Sequence, residues 1–151
     1  MGIALPLHVL AAVVWVGGMF FAYMALRPAA GAVLEGPARL RLFAATFALF
    51  FTWVWIAVAV LLASGYWMIA MLGGMAAIGI HVHIMHGVGL LMVAAFAHIY
   101  FAPFRRLRQA VAAEQWEDGA RCLNTIRMIM GANLVLGVLV VAIGSSRGLW
   151  F

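Results

Sequence analysis

Apolar residues fill this chain in three blocks, separated by short stretches that hold almost every charge. Residues 1–26, 42–104 and 128–146 contain no Asp, Glu, Lys or Arg. The middle stretch is long enough for two bilayer crossings of about 20 residues each, and the outer two allow one apiece. The pattern predicts an all-α integral membrane protein, a four-helix bundle in one domain over residues 1–151. Its helices are expected near residues 4–26, 46–71, 77–102 and 123–144. The first block has no basic stretch ahead of it and the apolar length of a span, so it reads as helix one rather than a signal peptide.

Local signals punctuate these blocks. Gly73-Gly74, inside "MLGGMAAIGI", marks the turn between helices two and three. Pro28 is expected to close helix one, and Pro103 to close or kink helix three. Glu117-Asp118-Gly119 reads as the start of helix four, with acids at the positive end of the helix dipole. Tyr66, Trp67, Trp150 and Phe151 suit an interfacial aromatic belt.

Charge adds orientation. All nine basic residues are arginines, and eight lie in the loops between helices one and two or between three and four. Only Arg147 lies on the other side, so both loops are expected in the cytoplasm and both termini outside, N-out/C-out. All four acids, Glu35, Glu114, Glu117 and Asp118, share those loops. The net charge of +5 is therefore a topology signal and no nucleic-acid partner is expected. Such a chain is expected to be a multi-pass membrane protein.

Some chemistry is excluded outright. A single Cys122 cannot form an intrachain disulfide, and without Cys-x-x-Cys-His there is no covalent haem attachment. The chain has no lysine for a Schiff base.

The candidate chemistry is histidine. "HVHIMH" places His81, His83, Met85 and His86 at the predicted outer mouth of helix three, and His8 lies near the same mouth on helix one. At 100° per residue, His83, His86 and His98 fall at about 0°, 300° and 60°, one stripe, while His81 is about 160° away. Ionisable groups inside a span usually face the bundle interior or a water-filled cavity, so the stripe is expected to point inward. His8 precedes Arg27 by 19 residues and His86 precedes Arg105 by 19, which puts the two at matching depth. His83 stands about 4.5 Å higher and His98 about 18 Å lower than His86. His98 reads as a ligand only if a second cofactor sits in the lower half.

Helix one presents Ala11, Ala12, Trp15, Gly18, Met19 and Ala22 on the His8 face. Small residues there serve either close helix packing or room for a flat macrocycle. Imidazole suits Zn, Cu, Fe and Ni. A tight copper or zinc site wants three or four converging ligands, whereas haem needs one or two axial histidines and an apolar slot between helices. The ligand count therefore favours haem b, held by His8 with His83 or His86 beside Trp15 and Gly18. Copper at the same cluster is the alternative, with His98, His81 and Met85 as lesser ligands. Most of the ten methionines are scattered and read as apolar filler. Trp15, Tyr66, Ser64 and Asn133 are candidate supporting groups.

The runs "LHVLAAVVWVGGMFF", "RLRLF", "HVHIMHGVGLLM" and "FAPFRRLRQAV" resemble the small single-domain relatives of the copper-resistance protein D (CopD-like) superfamily. The most specific piece is Leu7, His8, Trp15, Gly17 and Gly18. A more distant likeness is to haem-binding membrane proteins of the protoporphyrinogen-oxidase type. The resemblance implies a multi-pass bundle of the bacterial cell inner membrane and supports His8 and a histidine of "HVHIM", His83 first, as ligands, without choosing between metals. The expected function is that of a b-type-cytochrome-like protein in electron transfer or membrane redox chemistry, with copper transport or copper resistance as the alternative. Whether it is an enzyme stays open. Expected partners are the lipid bilayer, a quinone or redox protein, and a second copy of the chain as a homo-oligomer.

Overall fold

A computed structural model describes residues 2–146, and every element among them is helical. Four helices are long and apolar enough to cross a membrane: α1 (Ala4–Val33), α2 (Gly36–Met71), α3 (Ile80–Ala112) and α4 (Trp116–Ser145). Arg147, Trp150 and Phe151 lie outside the described residues.

The helix ends at the histidine end fall close to those expected, whereas all four helices run two to three turns further at the arginine end. There α1 continues to Val33 rather than 26, α2 starts at Gly36 rather than 46, α3 continues to Ala112 rather than 102, and α4 starts at Trp116 rather than 123. Loss of apolar character marks where a helix leaves hydrocarbon. It does not mark where the helix stops, because stretches such as "RRLRQAVA" remain good helix formers in water.

The prolines do not end the helices. Pro28 lacks an N–H and its ring presses on the carbonyl four residues back. The chain absorbs this in a π-helical turn over Ala22–Leu26, where the Arg27 N–H reaches the carbonyl of Ala22. A second π turn, Tyr100–Phe104, contains Pro103. Two positive-φ glycines, Gly73 (φ 99°) and Gly74 (φ 90°), follow α2, as the turn signal predicts.

α1 packs along α2 and α3 along α4, while α4 also touches α1 and α2. The core is a column of large rings: Phe47 stacks on Phe51, which meets Phe96 and Phe104 edge-on. Close approach depends on absent side chains. A Cβ on Gly18 would overlap the Phe50 ring, and one on Gly137 would lie 2.9 Å from Val16 and 3.1 Å from Met92. In the middle of the bundle, buried Asn133 donates from Nδ2 to the carbonyl of Met92 at 3.2 Å, joining α4 to α3.

Outward positions are as apolar as inward ones. Leu10, Val13, Leu49, Leu91 and Val135 are all exposed. A water-soluble domain does not surround itself with such residues; hydrocarbon is the solvent that fits them.

Candidate metal site at the histidine end

His8 sits in the second turn of α1, half-buried against the last turns of α2. Its Nδ1 lies 3.0 Å from Ser64 Oγ. Ser64 has a single proton, and Val60 O, 2.6 Å away, takes it. With the proton so placed, the hydroxyl oxygen turns its lone pairs to His8, an arrangement that favours the tautomer with its proton on Nδ1 and its lone pair on Nε2. A histidine whose other nitrogen is tied down in this way is the common form of a metal ligand. Gly65 completes the seat: a Cβ there would lie 3.3 Å from His8 Cε1, so the ring rests on bare backbone.

The α3 histidines are arranged differently from the sequence expectation. Buried Met92, Phe96 and Ile99 stand at about 180°, 220° and 160° on the wheel that puts His83 at 0°. The stripe of His83, His86 and His98 therefore faces away from the core. His83 and His98 are exposed and His86 is half-buried. The inward expectation is corrected, and the reason is that aromatic packing with α1 and α2, together with contact with α4, claims the opposite side of α3.

His86 leans on Tyr66 of α2, with ring centroids 5.3 Å apart and Nε2 3.5 Å from the hydroxyl. Ser64 and Tyr66 are two residues apart, about 200° around α2, so His8 and His86 approach that helix on different flanks. His81 and Met85 share the core side of α3. The His81 ring folds back over Gly79, and Met85 Cε comes within 2.8 Å of where a Cβ on Gly144 would be. Among the described residues no group of three or more His, Cys, Asp or Glu converges on one point.

These residues do not fit the expected haem between helices one and three. Below His8, Trp15 is buried and meets Phe96 of α3 edge-on at 6.1 Å. Ala11, Trp15, Met19 and Ala22 belong to the packed core, and the room at Gly18 is filled by Phe50. The small residues of α1 thus serve close helix packing. Of the two candidates for a second axial ligand, His86 is engaged by Tyr66 and His83 is exposed.

A family model described as Copper resistance protein D matches residues 44–147. The chain belongs to the copper resistance protein D family. No curated protein and no solved structure matches it. The matched region contains most of α2, all of α3 and α4, and hence Ser64, Tyr66 and four of the five histidines. His8, Trp15 and Gly18, which carry the most specific part of the resemblance read from sequence, precede it. Membership relates the protein to copper, and the likeness to haem-binding proteins of the protoporphyrinogen-oxidase type finds no support in these comparisons.

Ser64 and Tyr66 were legible as supporting groups from their polarity in an apolar helix. The arginine end holds what sequence reasoning missed. Arg27, Arg39 and Arg127 gather there around a cavity, and their only signal was that helices one, two and four all converge on that end.

Proposed function

We propose that this is a copper-handling protein of the bacterial inner membrane, with its arginine-rich end in the cytoplasm and its histidine end facing the periplasm. Copper is its cargo. His83 and His86 are exposed and half-buried at the mouth of α3, and His8 is seated against α2. They offer the ion accessible imidazoles on α3 and a seated one on α1, and Met85, on the core side of α3, adds a soft thioether at the same end of the bundle. Imidazole and thioether together suit copper, and thioether selects the reduced ion.

The observation that carries this reading beyond family membership is the Ser64–His8 hydrogen bond, which favours the tautomer that leaves Nε2 able to bind a metal. The positive-inside rule supports the orientation, since eight of nine arginines lie on the helix turns that flank the two connections at one end.

The purified protein decides the matter by its absorption spectrum and its metal content. Copper reading predicts bound or titratable Cu(I), lost in His8→Ala, and no Soret band. A Soret band in protein that takes up no copper overturns it.

A further inference from the structure

The arginine end holds a half-open cavity of about 720 Å³, within the range of ordinary ligand pockets. It lies between the π turn of α1, the first turns of α2 and the first turns of α4, and its floor is Phe43, Phe47 and Met130. Ala22, Tyr23 and Met24 of the π turn form one wall, so the wide turn imposed ahead of Pro28 also shapes the pocket.

Three arginines line it: Arg27, Arg39 and Arg127. They are the half-buried ones, whereas the other five described arginines, Arg41, Arg105, Arg106, Arg108 and Arg121, are exposed. Burial does not come with pairing. Glu114 pairs with Arg41 at 3.5 Å and Asp118 with Arg121 at 2.6 Å. The remaining acids, Glu35 and Glu117, neither line the cavity nor pair with its arginines among the described residues. The Arg27 guanidinium lies 5.1 Å over the Tyr23 ring, and Arg39 Nη1 packs beside Gly31. Both are held in place without being neutralised.

Three half-buried cations around one space are unfavourable unless an anion joins them, because each loses water and gains no counter-charge. Arginine forks match phosphate oxygens in pairs. The apolar floor and the position where the spans leave hydrocarbon require that the anion also carry a chain. Exposed Met24, at the cavity wall, faces outward where such a chain would enter. Basic pockets between spans are the ordinary seat of acidic lipid headgroups.

We propose that this cavity binds an anionic phospholipid, its phosphate among Arg27, Arg39 and Arg127 and an acyl chain along Phe43, Phe47 and Met130. The site is separate from the histidine end and does not depend on the copper reading.

Native mass spectrometry of the detergent-solubilised protein with phosphatidylglycerol, phosphatidylcholine or inorganic phosphate tests it. Phosphatidylglycerol should be retained over phosphatidylcholine, and the Arg27→Gln/Arg39→Gln/Arg127→Gln variant should lose on the order of a hundredfold in that affinity. Arg105→Gln/Arg106→Gln/Arg108→Gln removes the same charge from exposed positions and should retain the lipid. Arg127→Gln alone should lose about fivefold, which keeps the test decisive if the triple variant does not fold. Equal retention of the two lipids, or equal losses in the two triple variants, would overturn the proposal. Inorganic phosphate bound as tightly as the lipid would assign the site to a soluble anion and overturn it as well.

Discussion

Ser64 Oγ lies 3.0 Å from Nδ1 of His8 while giving its own proton to Val60 O at 2.6 Å, so one hydroxyl joins two helices and favours the Nδ1-protonated tautomer of the histidine. Ser64→Ala removes the acceptor and frees the ring to turn. Under the copper reading, Cu(I) affinity should fall about 10- to 100-fold, the usual effect of losing a partner behind a ligand. Ser64→Thr, which keeps the hydroxyl, should stay near wild type. Competition against a chromophoric Cu(I) chelator reads both, and an unchanged Ser64→Ala would remove the serine from the site.

The five histidines should be unequal in the same assay. His8→Ala is expected to abolish tight Cu(I) binding. His98→Ala should leave it within about twofold, since His98 is exposed and lies about 18 Å below His86 along α3. His81→Ala should be close to silent because that ring lies over Gly79. Strong loss from His98→Ala would place copper in the other half of the bundle.

Adjacent glycines on α1 should respond differently to enlargement. A Cβ on Gly17 meets nothing within 4 Å, whereas one on Gly18 runs into Phe50. Gly18→Val should cost about 1–3 kcal/mol as an overpacked interface. Gly17→Val, facing hydrocarbon, should change stability by about 0.5 kcal/mol or less. Thermal unfolding in detergent distinguishes them, and equal effects would contradict the packing of α1 on α2.

Orientation is open to direct measurement. Phosphatase and fluorescent-protein reporters inserted after Ala113 and after Met75 should report opposite sides, with the Ala113 site cytoplasmic. The reverse pattern would invert the proposed topology and place the histidine end inside the cell.

The number of spans and the Gly73-Gly74 turn were legible because hydrocarbon excludes charge and because a tight reversal calls for positive φ. The facing of α3 was not. Periodicity gives the angles between His83, His86 and His98, but in a membrane both sides of a helix are apolar. Exposed Leu90 and Leu91 are indistinguishable by hydropathy from buried Met92 and Ile99. Only the rings supplied by other helices, Trp15, Phe51 and Trp55 against Phe96, decide which side is interior. For the same reason the arginine cavity is invisible in sequence: Arg27, Arg39 and Arg127 come from three different helices and become neighbours only after packing.

Asn133 constrains how the bundle is made. A carboxamide is costly to carry into hydrocarbon alone, and the one acceptor that meets its Nδ2 is the Met92 carbonyl, midway along α3. During synthesis α3 emerges from the ribosome before α4, so that acceptor is already made when the amide arrives. The last two spans are thereby suited to enter as a hairpin, with α4 leaving the translocation channel sideways onto α3 rather than into lipid. The order of the genetic message and the order of assembly coincide at this one hydrogen bond.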